Sequence, residues 1–228
     1  MKQDWHKFIP IWKKNLIYSA KNDPILSWLL EIGKNNDKIL DQGCGIGQYD
    51  FTTRKLGFKN LVGLDFSKKL IQTARHFNRK LKTKIKFVLG DIRNMPFKEK
   101  TFDIVISAGV IEHVPETEKA LSEISRVVKD RGYLLIHVPH MISIFTLTKK
   151  IQQLFGMWDT GYEKSFTIQG FSGLLNKNGF EILKFKIREI EPGTKHKILS
   201  KLLRIIDKPL YKIGLGGHHM FFLCRKVK

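Results

Sequence analysis

Short apolar runs alternate with amphipathic stretches from about residue 38 onward, and this alternation gives the chain its predicted elements. The first five runs are continuously apolar, as parallel strands buried on both faces usually are. Before them, Asp23-Pro24 places an N-cap ahead of a proline at the first helical position, and Gly33 ends that helix. The predicted strands are Lys38–Asp41, Leu61–Asp65, Ile85–Leu89, Phe102–Ser107, Tyr133–Val138, Phe180–Ile187 and His219–Arg225.

Further helices are expected between these strands. Ser67 caps a helix over residues 68–80, and Pro115, followed closely by two acids, begins another. Thr167 begins a third helix, which Asn178-Gly179 ends. Strand–helix alternation at this spacing predicts right-handed βαβ units. We therefore predict an α/β fold with a doubly wound, mostly parallel seven-stranded sheet, to which the last strands add an antiparallel edge.

Two segments interrupt the alternation and define the domain organisation. Residues 139–166 follow the fifth strand, and residues 191–217 lie between the last two strands, so both are predicted to be helical insertions. A chain of 228 residues with 42% hydrophobic residues suits one domain with a sizeable core. We expect a single domain over 1–228, with an N-terminal helical cap at 1–36 and a core at 37–138.

The net charge of +20 is unevenly distributed along the chain. Residues 54–86 hold eleven lysines and arginines against Asp65 alone, and residues 195–228 hold nine against Asp207. Two basic surfaces suit an anionic partner, such as nucleic acid, phospholipid headgroups or an acidic substrate. A solvated face on a lysine-rich protein explains the same charge equally well.

The cysteines and the apolar segments bear on the compartment. Cys44 and Cys224 lie far apart, without a C-x-x-C or a His/Cys cluster, which disfavours a disulfide framework or a zinc site and fits a reducing compartment. The first residues lack the continuous apolar segment of a signal peptide. No apolar run approaches the ~18 residues needed to span a bilayer. We expect a soluble, cytoplasmic protein, or one peripheral to a membrane.

The strongest chemical signal is a glycine-rich turn within Ile39–Gln48, where a buried strand runs into a helix. Three glycines at alternate positions let the backbone turn tightly and let a ligand approach the main chain. A nicotinamide-dinucleotide fold would need G-x-G-x-x-G, but Gln48 occupies the place of the third glycine. Asp41, two residues before the first glycine, would repel a pyrophosphate but suits a ligand with an ammonium group.

This turn resembles motif I, D-x-G-C-G-x-G, of the class I S-adenosylmethionine-dependent methyltransferases. In that family the loop holds the methionine part of the cofactor, and an acid like Asp65 at the second strand's tip binds the ribose hydroxyls. Gly90-Asp91-Ile92 resembles the family segment at the adenine, and Phe102–Ser107 resembles motif IV. The resemblance implies S-adenosyl-L-methionine as cofactor and these binding residues: Asp41, Gly43, Cys44, Gly45, Gly47, Asp65, Phe66, Asp91, Ile92 and Ser107.

Two later segments narrow the resemblance to one branch. Val110–Pro115 is similar to the E-H-V-P stretch of the ubiquinone/menaquinone-biosynthesis-like methyltransferases, also called type 11. Arg126–Ile136 resembles the helix–turn–strand of that branch, with Lys-Asp-Arg-Gly in the turn. The resemblance covers residues 37–138 well and 165–190 loosely, and it implies a Rossmann-like methyltransferase fold.

Methyl transfer needs a general base only if the acceptor keeps its proton near neutral pH. His113 is the first candidate, because imidazole titrates in that range, and Glu112 is the second. The alternative is that His113 only packs or caps the loop after the fourth strand. The quinone-precursor branch carries E-x-x-E-H here, where the acids could bind a metal. Gly109 replaces the first Glu in this chain, so no metal site is predicted.

The two insertions carry basic amphipathic patterns. Residues 139–166 contain a helical apolar face with lysines beside it, and residues 195–210 repeat the pattern. A basic amphipathic helix is typical of a membrane surface, but also of a cover helix packed on its own domain. In the first insertion, four residues could line an acceptor pocket: Trp158, Asp159, Tyr162 and Glu163.

These observations predict methyl transfer to a small-molecule or a lipid- or quinone-like acceptor, with anionic membrane as a candidate partner. An RNA methyltransferase is the alternative, favoured by the charge. Residues 107–110, however, lack the Asn-Pro-Pro-Tyr-type tetrapeptide of the base-amino methylators. A non-catalytic cofactor-binding module is a third interpretation, which the intact loop and the three strand-end acids disfavour. The oligomeric state stays open.

Overall fold

The computed structural model describes residue 7 and residues 9–14, 16–17, 23–155, 161–188 and 216–227. All seven predicted strands are present. The strands are β1 (Lys38–Gln42), β2 (Asn60–Asp65), β3 (Lys86–Leu89), β4 (Phe102–Ala108), β5 (Val128–Pro139), β6 (Phe180–Arg188) and β7 (His219–Lys226). The helices are α1 (Ile9–Lys14), α2 (Pro24–Ile32), α3 (Gln48–Lys55), α4 (Lys68–Lys80), α5 (Thr117–Val127), α6 (Ile144–Leu154) and α7 (Ile168–Lys177), with a 3₁₀ turn at Ile111–His113.

The strands form one sheet in the order β3-β2-β1-β4-β5-β7-β6. Strands β1 to β5 pair in parallel, and β7 runs antiparallel to its neighbours β5 and β6. The predicted fold class, a mostly parallel doubly wound sheet with an antiparallel addition at one edge, is confirmed. The strand order reverses between β1 and β4. Ligands of doubly wound sheets bind at this point, beyond the carboxyl ends of the strands.

Three predicted helix starts carry the side-chain caps that the sequence indicates. Asp23 Oδ1 accepts a hydrogen bond from the amide of Leu26 at 3.1 Å, before α2. Ser67 Oγ and Thr167 Oγ1 accept from the amides three residues later, at 3.4 and 3.0 Å. These caps satisfy amides that have no partner inside the helix, and they fix where each connection leaves the sheet.

Apolar side chains fill both faces of the sheet. Helices α5 and α7 cover one face, and α2, α3 and α4 cover the other. On α2, the side chains of Ile25, Leu26 and Leu29 are completely buried, and burial of each contributes about 1.5–3 kcal/mol. The loops at the carboxyl edge of the sheet therefore extend from a rigid, two-sided core.

The first predicted insertion contains α6. Residues 191–215 of the second, with the predicted amphipathic helix at 195–210, lie outside the described residues, as do Trp158 and Asp159. Within the described residues, no helix combines the length and the apolar composition that a membrane crossing needs.

Candidate functional site

A cavity of about 670 Å³ opens at the carboxyl ends of β1 to β4, where the strand order reverses. The loops after these strands form its walls, together with α1 and a residue of the segment after α6. Its volume is that of a pocket for a cofactor or small molecule. The predicted cofactor residues among its walls are Asp41, Gly43, Cys44, Gly45, Asp65, Phe66, Asp91 and Ile92.

The glycine-rich loop after β1 folds back against the end of β2. The amides of Gly43 and Cys44 both donate to the carbonyl of Leu64, at 2.7 and 2.9 Å. The amide of Gly45 donates to Asp65 Oδ2 at 3.0 Å. The loop thus orients the Asp65 carboxylate at the cavity wall.

All three glycines of this loop have left-handed backbones, and Gly45 and Gly47 differ in their surroundings. Gly45 has φ +56°, and among the described residues a Cβ built on it would meet, within 4 Å, only Cζ3 of Trp12, at 3.7 Å. Gly47 has φ +90°, and its Cβ would lie 2.8 Å from Phe87 and 2.9 Å from Phe51. Gly45 therefore leaves its backbone open to a ligand, whereas Gly47, which does not line the cavity, lets α3 pack against β3.

Asp65 lies at the tip of β2 with both carboxylate oxygens oriented by the backbone. Oδ1 accepts from the Ser67 amide at 2.8 Å, and Oδ2 accepts from Gly45. A carboxylate offers about four acceptor positions, so it can serve several donors at once. Phe66 is 58% exposed and lines the cavity next to this carboxylate. Asp65 can accept hydrogen bonds from a diol, and Phe66 places an apolar ring next to it.

Asp91, after β3, is held by an arginine that the sequence did not single out. Arg93 Nη2 lies 2.7 Å from Asp91 Oδ2, and Arg93 Nε lies 3.0 Å from Oδ1. These hydrogen bonds from the guanidinium lower the pKa of Asp91. Arg93 Nη1 also contacts Glu116 Oε2 at 3.1 Å, which ties the loop to the start of α5. Ile92 is buried beside it and reaches the cavity.

Asp41, at the end of β1, is hydrogen-bonded to Asp50 in the first turn of α3. Their exposed fractions are 4% and 2%, and only Asp41 lines the cavity. Burial raises the pKa of Asp41, and Asp65 raises it further, while the hydrogen bond from Asp50 lowers it. Burial and the neighbouring Asp41 raise the pKa of Asp50 strongly. Both shifts favour a proton shared by the pair over two carboxylates.

His113 also lines the cavity, together with the apolar side chains that follow it in sequence. Its Nδ1 is 2.9 Å from the carbonyl oxygen of Tyr162. A carbonyl only accepts, so Nδ1 carries the proton and Nε2 carries the lone pair of the neutral ring. Burial lowers the pKa of His113, which favours this neutral form. Tyr162, Val114 and Pro115 line the same region.

Three of the predicted site residues do not line the cavity: Gly47, Ser107 and Glu112. Burial raises the pKa of Glu112 to about 8, and its Oε2 has no hydrogen-bond partner among the described residues. Ser107 Oγ is completely buried and likewise has no hydrogen-bond partner among the described residues. Their functional roles stay predictions. Within the described ranges, no three His, Cys, Asp or Glu side chains are grouped so that they could hold a metal ion.

Some lining residues had no signal in the sequence. Trp12 reaches the cavity from α1, and its carbonyl accepts a hydrogen bond from Gln48 Nε2 at 3.4 Å. Tyr49 also lines the cavity, and its hydroxyl donates to Asp23 Oδ2 at 2.8 Å. These contacts join residues that lie far apart in sequence, so local patterns do not reveal them.

Helix α6 turns a polar side toward the protein. Lys149 is 4% exposed, and its Nζ lies 2.8 Å from Glu163 Oε1 and 2.8 Å from the Glu163 carbonyl. Thr146, also buried, donates to the carbonyl of His140 at 2.7 Å. The ion pair connects α6 to the segment that carries Tyr162, and hence to the part of the cavity that His113 lines.

Several apolar side chains are exposed on α6 and its flanks, although Lys150 and Gln153 of α6 are exposed as well. A helix that packs on its own domain usually buries its apolar side chains. The exposed apolar residues and their exposed fractions are Met141 (43%), Ile142 (48%), Leu147 (59%), Leu154 (82%) and Phe155 (69%). We call this set the α6 apolar surface.

These features fit the cofactor that the sequence resemblance implies. Asp65 matches a ribose diol, the open backbone at Gly45 leaves room for the methionine part, and Asp41 offers a carboxylate to an ammonium group. The exposed ring of Phe66 and the side chain of Ile92 suit a nucleoside.

Similarity to known proteins supports the same cofactor. Residues 40–136 match the methyltransferase domain family. The chain is 32% identical over 199 residues to an uncharacterised protein of Methanocaldococcus jannaschii, covering 86% of this chain and 80% of that protein. It is 33% identical over 171 residues to a sterol 24-C-methyltransferase of Kluyveromyces lactis, covering 72% of this chain and 46% of the relative. The chain thus spans less than half the length of that enzyme.

A solved structure shows the same fold. An S-adenosylmethionine-dependent methyltransferase of Methanosarcina mazei superimposes with a TM-score of 0.67 at 20% identity, over 90% of this chain and 98% of that one.

Proposed function

Because the chain belongs to the class I S-adenosylmethionine-dependent methyltransferases, type 11 branch, we propose that it methylates a lipid-like acceptor. One observation carries this proposal: a cavity lined by both carboxylates and apolar side chains is linked, through the Lys149–Glu163 ion pair next to Tyr162, to the helix that carries the α6 apolar surface. The likeness to sterol 24-C-methyltransferases supports the same class of acceptor.

Toward the cofactor, the protein's part is to bind and orient. The cofactor supplies a methyl group on a sulfonium, which is transferred by in-line displacement. Asp65 would accept both ribose hydroxyls, since the Gly45 and Ser67 amides already orient its oxygens. Asp41 would accept the ammonium group. Arg93 keeps the Asp91 carboxylate ionised and in place for the adenine amino group.

Toward the acceptor, His113 is the proposed general base. The Tyr162 carbonyl fixes its tautomer, so that Nε2 can accept a proton from an acceptor hydroxyl or from carbon after methylation. Val114 and Pro115 exclude water beside it. Glu112 is less suited, because its carboxyl group is buried behind the cavity wall and stays protonated at neutral pH.

The α6 apolar surface would let such an acceptor enter from a membrane. An apolar helix side exposed to water is unfavourable unless a partner covers it. Lys150 and Lys164 are exposed on the same insertion, and each lysine near anionic headgroups adds about 1 kcal/mol of attraction. Peripheral attachment through α6 would therefore bring the part of the cavity that His113 lines close to the lipid.

RNA is the competing partner for the net charge of +20. Lys59 and Lys84, from the basic stretch 54–86, line a separate groove with Lys38 at the amino ends of β1 and β2. The methyl-transfer cavity lies at the carboxyl ends, a strand length of roughly 15–20 Å away. RNA held in that groove would lie far from the reacting atoms, and it would leave the α6 apolar surface uncovered.

A labelling experiment separates these functions. The protein is incubated with methyl-labelled S-adenosylmethionine and either sterol-containing anionic vesicles or total RNA. We expect label in the organic extract of the vesicles. His113→Gln should reduce it by roughly 10²–10⁴-fold with unchanged cofactor binding, whereas His76→Gln, on the exposed side of α4, should not. Label in RNA alone would replace this proposal with the alternative. Cofactor binding without any transfer would favour a binding module.

A further inference from the structure

The buried carboxyl groups of Asp41, which lines the cavity, and Asp50, which does not, form a pair. The sequence predicts a binding role for Asp41, which belongs to the glycine motif, but no pattern in the sequence indicates a role for Asp50. A hydrogen bond between two carboxyl groups requires at least one proton on the pair, because two carboxylates offer no donor.

The surroundings of the pair are acidic. Asp65 faces it from β2, and the Cys44 thiol faces it from the glycine loop. Among the described residues, the charges that act on either carboxyl group come from acids alone. Asp50 Oδ2 has no hydrogen-bond partner there, so no other group competes for its proton.

The fold makes room for this pair. A Cβ on Gly63 of β2 would lie 2.8 Å from Asp50 Oδ2 and 2.8 Å from the Phe87 ring. The absence of a side chain at Gly63 therefore seats Asp50 against the sheet, beneath Asp41. Asp50 itself does not line the cavity, so it can act on a ligand only through Asp41.

We propose that Asp50 is a positioning residue: it donates a hydrogen bond to Asp41, and binding of the cofactor's ammonium group to Asp41 releases the second proton of the pair. This inference rests on the proposed function, in which the cavity binds S-adenosylmethionine. The ammonium group binds the ionised form of Asp41 only. Affinity therefore rises as pH rises through the raised pKa of Asp41, and Asp50 stays protonated.

The probe is S-adenosylhomocysteine, which carries the same ammonium group and does not react. Its affinity is measured by calorimetry from about pH 5 to about pH 9, for the parent, Asp50→Asn and Asp50→Leu. Asn keeps a hydrogen-bond donor, whereas Leu has the same shape without one. We expect Asp50→Leu to bind about tenfold or more weakly at neutral pH, with its rise in affinity moved to higher pH. Asp50→Asn should recover most of that loss.

Asp130→Asn, an exposed acid paired with Lys100, is the matched control and should leave affinity unchanged. The parent alone gives a second measurement that needs no variant. Titration below neutral pH in two buffers of different ionisation enthalpy should show that binding releases protons.

Equal losses in Asp50→Asn and Asp50→Leu, or binding by the parent without proton release, would overturn this inference and leave the proposed function intact. Failure of the parent to bind S-adenosylhomocysteine at any pH would overturn both.

Discussion

Lys149 of α6 and Glu163 form an ion pair whose side chains are only 5% and 12% exposed, with Nζ 2.8 Å from Oε1. Lys149 Nζ also contacts Ser165 Oγ at 3.3 Å, so the ammonium group is surrounded by acceptors. A buried pair of this kind adds little net stability over apolar residues, but it strongly favours one arrangement of the two segments. Here it holds the polar side of α6 against the protein.

Lys149→Met tests this arrangement. Loss of the ammonium group leaves the Glu163 carboxylate buried without its counterion, so we expect the free energy of unfolding to fall by about 3–5 kcal/mol. Urea unfolding measures it. Lys177→Met is the matched control, because Lys177 and Glu118 are 66% and 58% exposed, and it should cost less than about 1 kcal/mol. Equal losses in the two variants would contradict a buried pair.

The α6 apolar surface predicts binding to anionic vesicles. Replacing both Leu147 and Leu154 with Ser removes exposed apolar area without disturbing the core, and we expect vesicle affinity to fall at least about tenfold. Co-sedimentation with phosphatidylglycerol vesicles measures this, and added salt should weaken binding further. Leu81→Ser, 40% exposed at the end of α4, is the control. Unchanged binding of the double variant would place the contact elsewhere.

Gly45→Val should abolish cofactor binding. The new side chain would project into the cavity from a backbone at φ +56°, which β-branched residues rarely adopt. Calorimetry with S-adenosylmethionine measures the loss, and NAD should bind the parent far more weakly. Gly173→Val on α7 is the matched control, because no atom of the described residues outside the helix backbone lies within 4 Å of its Cβ position. If the Gly45 variant binds like the parent, the ligand lies elsewhere.

Asp65→Ala should weaken cofactor binding by roughly 1.5–3 kcal/mol, the scale of hydrogen bonds from the ribose hydroxyls to a charged acceptor. The substitution also frees the Gly45 amide, so circular dichroism and a thermal melt must show that the fold persists. The same titration on Asp130→Ala provides the control. A loss no larger than in that control would exclude Asp65 from the site.

The pKa of Glu112 predicts a pH-dependent stability. Burial raises it from the usual 4.5 to about 8, so between these values the folded protein holds a proton that the unfolded chain has lost. The resulting penalty on folding grows by about 1.4 kcal/mol for each pH unit across that window and is absent below it. Glu112→Gln, which cannot ionise, should therefore be more stable than the parent by roughly 2–4 kcal/mol at about pH 9.

Urea unfolding at about pH 4.5 and about pH 9 measures this difference, which should vanish at the lower pH. Glu181→Gln, on the exposed side of β6, should show no such trend. If the difference in stability between the parent and Glu112→Gln is the same at both pH values, Glu112 reaches solvent.

Most of the fold could be predicted because local patterns determine it. Continuous apolar runs indicated the first five strands, less regular apolar patterns indicated β6 and β7, and side-chain caps located α2, α4 and α7. The predicted start of β5 was wrong by five residues. The strand begins at Val128, directly after α5, and not at Tyr133. Val128 pairs with Phe102 before the register shifts, and no turn separates helix from strand. Such pairing depends on the neighbouring strand, so the local pattern does not indicate it.

The site was predictable where it depends on one rule, namely that the carboxyl ends of parallel strands lie at the same edge of a sheet. That rule predicts that the acids at or just after the ends of β1, β2 and β3 lie close together, as they do in the cavity. It does not say which residues stay out of the cavity: Gly47 packs against Phe87, and the side chain of Ser107 in β4 is completely buried. The sequence did not indicate Asp50 for a related reason. Its buried position depends on Gly63, a residue of β2 that leaves space for it.

The position of β7 bears on how the chain acquires this structure. Residues 219–226 insert between β5 and β6, although β6 precedes them in sequence. During synthesis, β6 therefore has no partner in the sheet until β7 has left the ribosome. Met220, Phe222 and Cys224 likewise reach the core on the α5–α7 face only then. Folding of that half must wait for these residues, and until then its unpaired edges and apolar surface are open to chaperones and to aggregation.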